Sequence, residues 1–104
     1  MDSRPQTAGH VVREISLVLA RTDDASLIED FLLSILTPSE VDNISARWEL
    51  VKLLDQGMSQ RKIAERLGLS LCKITRGSKE LKKKNSAFGR MIRTYKQFSL
   101  PEEP

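Results

Sequence analysis

The sequence predicts an all-α fold in one small domain, with six short helices of which two form a helix-turn-helix. Apolar residues recur at helical spacing along the 104 residues, and no stretch shows the alternation of polar and apolar residues that is typical of a strand. Residues 60–81, QRKIAERLGLSLCKITRGSKEL, have the pattern of two helices joined by a tight turn. Such a pair is typical of DNA-binding proteins, in which the second helix enters the major groove.

The formal net charge of +3 is the sum of two halves of opposite sign. Residues 1–58 carry 5 Lys/Arg and 10 Asp/Glu, whereas residues 59–104 carry 12 Lys/Arg and 4 Asp/Glu. Because the sign changes where the helix-turn-helix begins, the basic half favours a surface that faces phosphates.

The composition also argues against several classes of protein. His10 and Cys72 are the only residues of their types, which leaves no disulfide framework, zinc-binding spacing or Cys–His dyad. The apolar run 11–20 is interrupted by charged residues, so it predicts neither a signal peptide nor a membrane span. We therefore expect a cytoplasmic, nucleoid-associated protein without metal, cofactor or membrane partner, and not an enzyme.

The first two helices are predicted within residues 10–36. Residues 1–9 are polar and predict a flexible arm. We expect the first helix over residues 10–21, and the second from its N-cap Asp24 to residue 36. Seven of the ten residues 27–36 are apolar, which is more than one core-facing stripe requires. A second copy of the chain is the expected cover for this helix; the alternative is a central helix wrapped by the rest of one chain.

Residues 37–57 predict the third helix. The sequence TPSE at residues 37–40 combines an N-cap, a proline in the first turn and a capping-box glutamate, and Gly57 is the expected stop. Trp48 is expected in the core rather than on a binding surface. The predicted core-facing stripe consists of Val41, Ile44, Trp48 and Val51, widened by Leu50, Leu53 and Leu54.

The helix-turn-helix is predicted over residues 59–82. Ser59 and Ser70 are the expected N-caps of its two helices, and Gly68 is expected to end the first helix in a left-handed conformation. The second helix is the predicted recognition helix. The apolar contacts between the two helices are expected from Ile63, Ala64, Leu67, Leu69, Ile74 and Leu81.

A sixth helix is predicted from its N-cap Ser86 to residue 98. Residues 99–104 hold two prolines and two glutamates and predict a disordered tail, so the domain is expected to span residues 10–98. The apolar positions of the sixth helix are Phe88, Met91, Ile92 and Tyr95.

Gly77 is an anomaly inside the recognition helix. An apolar anchor is expected one turn after Ile74, but Gly77 stands there, between Arg76 and Ser78. Glycine inside a helix costs about 1 kcal/mol relative to alanine, so it requires a reason. One reason is a close contact with another helix, and the other is space for a flat ligand beside Arg76. The residue pattern alone does not choose between them.

Several of these residues together resemble a known family. Thr37-Pro38, Arg47, the segment MSQR at 58–61 and above all ITRGS at 74–78 resemble the tryptophan (trp operon) repressor family of enteric bacteria, over roughly residues 33–81. The resemblance implies an intertwined, all-helical homodimer that binds double-stranded operator DNA when L-tryptophan is bound as corepressor. It also implies repression of genes for tryptophan biosynthesis and transport.

By matching position, the resemblance implies a corepressor site between the third helix and the recognition helix. Arg47 and Arg76 would hold the indole between their guanidinium planes. Arg76, helped by Thr37, would hold the carboxylate through charge-assisted hydrogen bonds. Gly77 would leave space for the ring.

The binding of the ammonium group is where this sequence departs from the family. The resemblance implies that the ammonium meets backbone carbonyls near Ser34 and Leu36, at the negative end of the second helix. The family's serine near the ammonium falls on Glu80 here. The Glu80 carboxylate either holds the ammonium more strongly or pairs with Arg76 and competes with the ligand for it.

Contacts with DNA bases are expected from the exposed start of the recognition helix, and contacts with phosphates from the helix before it. Leu71 and Cys72 offer only apolar or weak contacts, so water and DNA shape are expected to contribute to specificity. We interpret Cys72 as a small groove-facing residue rather than a redox switch. The predicted DNA contacts are Gln60, Arg61, Ser70, Leu71, Cys72, Lys73, Thr75 and Lys79.

Two other functions fit part of the sequence. A ligand-independent helix-turn-helix protein, such as a transposase accessory chain or a replication-initiator-like module, needs the motif but has no use for Thr37, Arg47 and Gly77 together. A protein-interaction module would use the same helices without DNA, and the basic half argues against it. The sequence contains no set of residues that could serve as a catalytic acid and base or as an activated nucleophile, so it does not predict an enzyme.

Overall fold

The computed structural model describes residues 7–98. Within this range the chain forms six helices and no strand: α1 (Ala8–Ala20), α2 (Ala25–Ile35), α3 (Pro38–Asp55), α4 (Gln60–Leu67), α5 (Leu71–Lys82) and α6 (Ala87–Phe98). The predicted all-α class with six helices is confirmed. The predicted tail 99–104 and most of the predicted arm 1–9 lie outside the described residues. The described residues divide between Ser39 and Glu40 into two compact units.

Side-chain caps begin most of the helices. Thr7, Asp24, Ser59, Ser70 and Ser86 each accept a hydrogen bond from the backbone N–H three residues later, at 3.0 to 3.3 Å. These bonds satisfy donors that have no partner within the helix. The cap at Thr7 makes α1 begin two residues before its predicted start.

Two glycines end helices, as predicted. Gly57 and Gly68 have φ angles of +90° and +66°, in the left-handed region where a Cβ would be strained. The Gly68 N–H donates to the Ala64 carbonyl at 2.9 Å, so α4 ends there and the chain turns towards α5.

The core of the unit that follows Ser39 lies between α3, α4 and α5. Ile63 and Ile74 are fully buried in it, beside Leu50 and Leu53, which confirms the predicted contact between the two helices of the motif. The predicted stripe of α3 is partly wrong, because Ile44 is 50 % exposed. The α4–α5 pair packs on the C-terminal half of α3, and Ile44 lies on the N-terminal half.

Trp48 packs against α6 in the same unit. Its ring stacks on Phe88 and meets Tyr95 edge-on, both with centroids 6.0 Å apart. Trp48 is half-buried in this aromatic cluster and is not one of the buried core residues, so the expected core position is met only in part. Of the predicted apolar positions of α6, Ile92 is buried, whereas Met91 is 61 % exposed in one chain.

Polar contacts join the end of α3 to α6. Lys96 Nζ pairs with Asp55 Oδ2 at 2.6 Å. Lys52 Nζ pairs with Glu49 Oε1 at 3.1 Å and lies 4.8 Å from the centre of the Tyr95 ring. These contacts flank the aromatic cluster and hold α6 along α3.

The unit before Glu40 contains α1 and α2, and neither helix fully buries a residue. A cavity of about 330 Å³ between them is lined mainly by apolar side chains, among them Ile15, Leu19, Ile28 and Phe31. The predicted burial of α2 on most sides is therefore not supplied by one chain. Large apolar side chains exposed on α1 and α2 are Val11, Val12, Leu17, Val18, Leu27, Leu32, Leu33 and Ile35.

Candidate ligand pocket and recognition helix

A pocket of about 470 Å³ opens between α3 and α5. Its volume is within the range of small-molecule sites, roughly 300–1,000 Å³. Four of the predicted ligand-binding residues line it: Arg47 from α3, and Arg76, Gly77 and Glu80 from α5. The other lining residues are Asn43, Ala46, Leu50, Val51, Leu69, Lys73 and Phe88.

Helical spacing explains why α3 presents its pocket residues together. Asn43, Arg47 and Leu50 are four and then three residues apart, so they lie on one face of the helix. Asn43 lies one helical turn before the predicted site residue Arg47, so it could have been predicted as a pocket residue from the sequence. Phe88 reaches the pocket from α6, and no local pattern could have placed it there.

Gly77 lies at a close contact between the two helices that build the pocket. A Cβ added to Gly77 would lie 2.9 Å from Leu50 Cδ2 and 3.8 Å from Leu54 Cδ1. The close helix contact, one of the two reasons considered for this glycine, is therefore present. Gly77 also lines the pocket, so the second reason, space for a flat ligand beside Arg76, is still open.

The pocket has a positive character. Within residues 7–98, no carboxylate lies within 4.0 Å of the side-chain nitrogens of Arg47, Lys73 or Arg76. The one acidic residue of the lining, Glu80, pairs through Oε1 with Lys83 Nζ at 2.9 Å, and not with Arg76. An anion would therefore be the favoured occupant near the three cations.

Three further residues of the predicted ligand site belong to the other compact unit. Ser34, Leu36 and Thr37 lie at the C-terminal end of α2 and after it. Ser34 Oγ donates to the Asp30 carbonyl at 2.7 Å, and the Leu36 N–H donates to the Leu32 carbonyl at 3.1 Å. The last carbonyls of a helix have no partner within it, which is the chemistry that the predicted ammonium contact uses.

The exposed side of α5 forms a shallow groove, which we call the α5 groove. It is lined by Leu71, Cys72, Thr75, Arg76 and Lys79, four of which are predicted DNA contacts. These side chains share one face because they are spaced by about one helical turn.

The other predicted DNA contacts are positioned differently. Thr75 Oγ1 donates to Gln60 Oε1 at 3.3 Å, which joins α5 to the first residue of α4. Ser70 Oγ accepts the Lys73 N–H as an N-cap, and Arg61 is exposed. Lys73 lines the pocket and does not line the α5 groove.

Within residues 7–98, no group of three or more His, Cys, Asp and Glu side chains could hold a metal ion. No helix in this range is long and apolar enough to cross a membrane.

Comparison with known proteins identifies relatives across most of the chain. The family described as Trp repressor protein matches residues 12–96. The chain is 36% identical over 76 residues to a Trp operon repressor homolog of Vibrio parahaemolyticus, which covers 72% of this chain and 74% of that protein. It is 38% identical over 69 residues to one of Xylella fastidiosa, covering 65% and 75%. It is 38% identical over 84 residues to one of Photobacterium profundum, covering 79% and 82%. No solved structure matches the chain.

Proposed function

Because the chain belongs to the Trp repressor protein family, we propose that it represses genes of tryptophan biosynthesis and transport by binding operator DNA when L-tryptophan occupies the pocket between α3 and α5. Members of this family are regulators of transcription and not enzymes, and the chain is a Trp-repressor-like regulator. The resemblance noted on the residues TP, Arg47 and ITRGS is thereby confirmed as family membership.

The observation that carries the proposal is the convergence of Arg47 and Arg76 on one pocket from two helices. Two guanidinium planes on α3 and α5 are suited to hold an indole between them. The ligand carboxylate would bind the Arg76 guanidinium. Gly77 leaves the recognition helix without a side chain beside Arg76, where the ring requires space.

The ammonium group of the ligand would bind at the C-terminal end of α2. In this proposal the carbonyls near Ser34 and Leu36 accept from it, and Thr37 assists Arg76 with the carboxylate. Glu80 pairs through Oε1 with Lys83, an exposed pair that is worth at most about 1 kcal/mol, and its second carboxylate oxygen could accept from the ammonium.

We propose that the functional form is an intertwined homodimer of domains that span residues 10–98. Eight large apolar side chains are exposed on α1 and α2, and exposed apolar patches commonly mark surfaces that bind another protein. A second copy of the chain would cover them. Sedimentation of the purified protein as a stable monomer at micromolar concentration would contradict the dimer.

The ligand would act by fixing the angle between α3 and α5. In a dimer, the two recognition helices must lie about 34 Å apart to enter successive major grooves. A ligand that binds this geometry more tightly than other geometries raises the population of molecules that adopt it. The factor by which L-tryptophan tightens the binding of operator DNA is then also the factor by which operator DNA tightens the binding of L-tryptophan. The α5 groove would contact base edges, and Gln60 and Arg61 would contact phosphates. A protein with this role acts at the nucleoid, in the cytoplasm.

The contact between Gly77 and Leu50 favours a second candidate, a ligand-independent helix-turn-helix DNA-binding protein. This contact accounts for the glycine by helix packing alone, with no ligand required. Under this candidate, DNA affinity would be the same with and without L-tryptophan.

The deciding experiment is isothermal titration of the purified protein with L-tryptophan, followed by selection of duplexes from a random pool with the ligand present. We expect saturable binding of about one ligand per chain, and a selected duplex that binds more tightly with ligand than without. An absence of heat at millimolar L-tryptophan would overturn the corepressor role. A selected duplex with ligand-independent affinity would support the second candidate.

A further inference from the structure

We propose that Lys73 is a ligand-specificity residue that recognises the carboxylate in the α3–α5 pocket, and not the DNA contact that its place at the start of the recognition helix predicts. The inference rests on the proposed function, since it concerns the same pocket.

The position of Lys73 on α5 separates it from the DNA-facing side. Lys73 lines the pocket together with Gly77 and Glu80 and does not line the α5 groove. Residues seven apart on a helix, such as Lys73 and Glu80, differ by only about 20° in direction, whereas residues two apart, such as Lys73 and Thr75, differ by about 160°. Lys73 therefore points with the pocket residues and nearly opposite to Thr75.

The charges around Lys73 indicate an anionic partner. No carboxylate lies within 4.0 Å of Lys73 Nζ in the described part of the chain. Glu80, which shares its face, is already paired with Lys83 at 2.9 Å. The Lys73 ammonium, on its flexible side chain, and the nearby Arg76 guanidinium, which has no carboxylate partner among residues 7–98, together attract a carboxylate.

Arg76 does not supply all of this attraction. It lines both the pocket and the α5 groove, so DNA phosphates can compete for its guanidinium. Lys73 precedes Arg76 by three residues, the spacing at which two side chains on a helix are neighbours. A ligand carboxylate would bind between these two cations. Of the ligand in the proposed function, Lys73 would therefore recognise the free carboxylate.

The experiment is isothermal titration of the full chain and of Lys73→Met with L-tryptophan, and of the wild type with L-tryptophanamide, in which a neutral amide replaces the carboxylate. We expect Lys73→Met to weaken L-tryptophan binding about tenfold, and Lys73→Arg to restore most of the affinity. We expect the wild type to bind the amide more weakly than the acid. Circular dichroism should be unchanged, because the cap at this position uses the Lys73 backbone N–H and not its side chain.

Lys79→Met is the matched control, because it removes the same charge from the α5 groove. With L-tryptophan saturating, this control should reduce the slope of log affinity for the selected duplex against log salt by about 0.9 per lost contact, and leave L-tryptophan affinity unchanged. Lys73→Met should leave that slope unchanged.

Three results would overturn the inference: equal L-tryptophan affinity of Lys73→Met and the wild type, a salt slope reduced as in Lys79→Met, or equal affinity of the wild type for the amide and the acid. Each of these leaves the corepressor role intact. A wild-type protein that does not bind L-tryptophan would overturn the proposed function together with the inference, so the two failures are distinguishable.

Discussion

Gly77 and Leu50 approach so closely that a Cβ on Gly77 would lie 2.9 Å from Leu50 Cδ2. Leu50 is 2 % exposed, and it contacts the core between α3, α4 and α5 on its other side. Both residues also line the candidate ligand pocket. One helix contact therefore closes the core and forms the wall of the pocket, so stability and ligand binding are coupled there.

We expect Gly77→Ala to lower the free energy of unfolding by about 1–3 kcal/mol, measured by urea denaturation. Alanine is favoured over glycine in a helix by about 1 kcal/mol, but the added methyl group would overlap the buried Leu50 side chain. Gly9→Ala in α1 is the matched control, since a Cβ there meets nothing within 4 Å, and it should be neutral or stabilising. A variant at Gly77 as stable as the wild type would contradict this prediction, because moving Leu50 aside would then cost no more than the gain of about 1 kcal/mol from helix propensity.

The hydrogen bond from Thr75 to Gln60 should matter for DNA more than for stability. Thr75→Val keeps the shape of the side chain and removes the donor, so the free energy of unfolding should change by less than about 0.5 kcal/mol. If Gln60 contacts DNA as proposed, affinity for the selected duplex should fall, because the Gln60 amide loses the hydrogen bond that holds it in place. Thr94→Val is the control, since the Thr94 hydroxyl donates only to the Arg90 carbonyl of its own helix. Equal loss of DNA affinity in both variants would contradict this role of Thr75.

Removal of the Phe88 ring should loosen α6. Phe88→Ala removes the ring stacked on Trp48, and we expect a loss of about 2–3 kcal/mol in unfolding free energy, at the lower end for phenylalanine because Phe88 is half-buried. Trp48 is the only tryptophan, so its emission should shift to longer wavelength as water reaches it. Arg90→Ala, an exposed change on the same helix, should alter neither quantity. An unchanged emission spectrum of the Phe88 variant would contradict the stacking.

Lys52 should contribute a pH-dependent stability. Burial lowers its pKa, but hydrogen bonds to Glu49 and Tyr95 and their charges together raise it above the ordinary value of 10.5. Because the folded state holds the proton more tightly than the unfolded state, this contribution is fully present below 10.5 and is lost as the pH rises through the folded value. The difference in unfolding free energy between the wild type and Lys52→Met should therefore be larger at about pH 8 than at about pH 11.5. A difference that does not shrink would contradict the assignment.

The sequence alone predicted the features that local chemistry controls. Ser59, Ser70 and Gly68 mark the ends of the motif helices, because a side-chain cap and a left-handed glycine act within one helical turn. The buried pair Ile63 and Ile74 followed from helical spacing. For the candidate site, Arg47, Arg76, Gly77 and Glu80 were predicted from matching positions, and the structure brings these four to one pocket.

The sequence alone did not predict which side of each helix meets which neighbour. Ile44 and Met91 fit the apolar periodicity of their helices, but the partners of these helices in one chain pack elsewhere. Lys73 was assigned to DNA from its place at the start of the recognition helix, and no sequence pattern indicated that it also lines the pocket. Periodicity defines a face, but only the packing of α3 and α6 against the motif identifies what that face contacts.

The sequence by itself therefore determined the number and type of the helices, the N-caps of α2, α4, α5 and α6, the two glycine stops, and the family of this regulator. These properties depend on interactions within a few residues along the chain, together with the ITRGS motif and its upstream arginine. The tertiary structure alone decided that Gly77 packs on Leu50 and that Phe88 completes the pocket. It also decided that Glu80 pairs with Lys83 while three pocket cations remain without a carboxylate among residues 7–98. The physical reason is that the crossing of α3 and α5 depends on the summed packing of distant side chains, which no local pattern encodes.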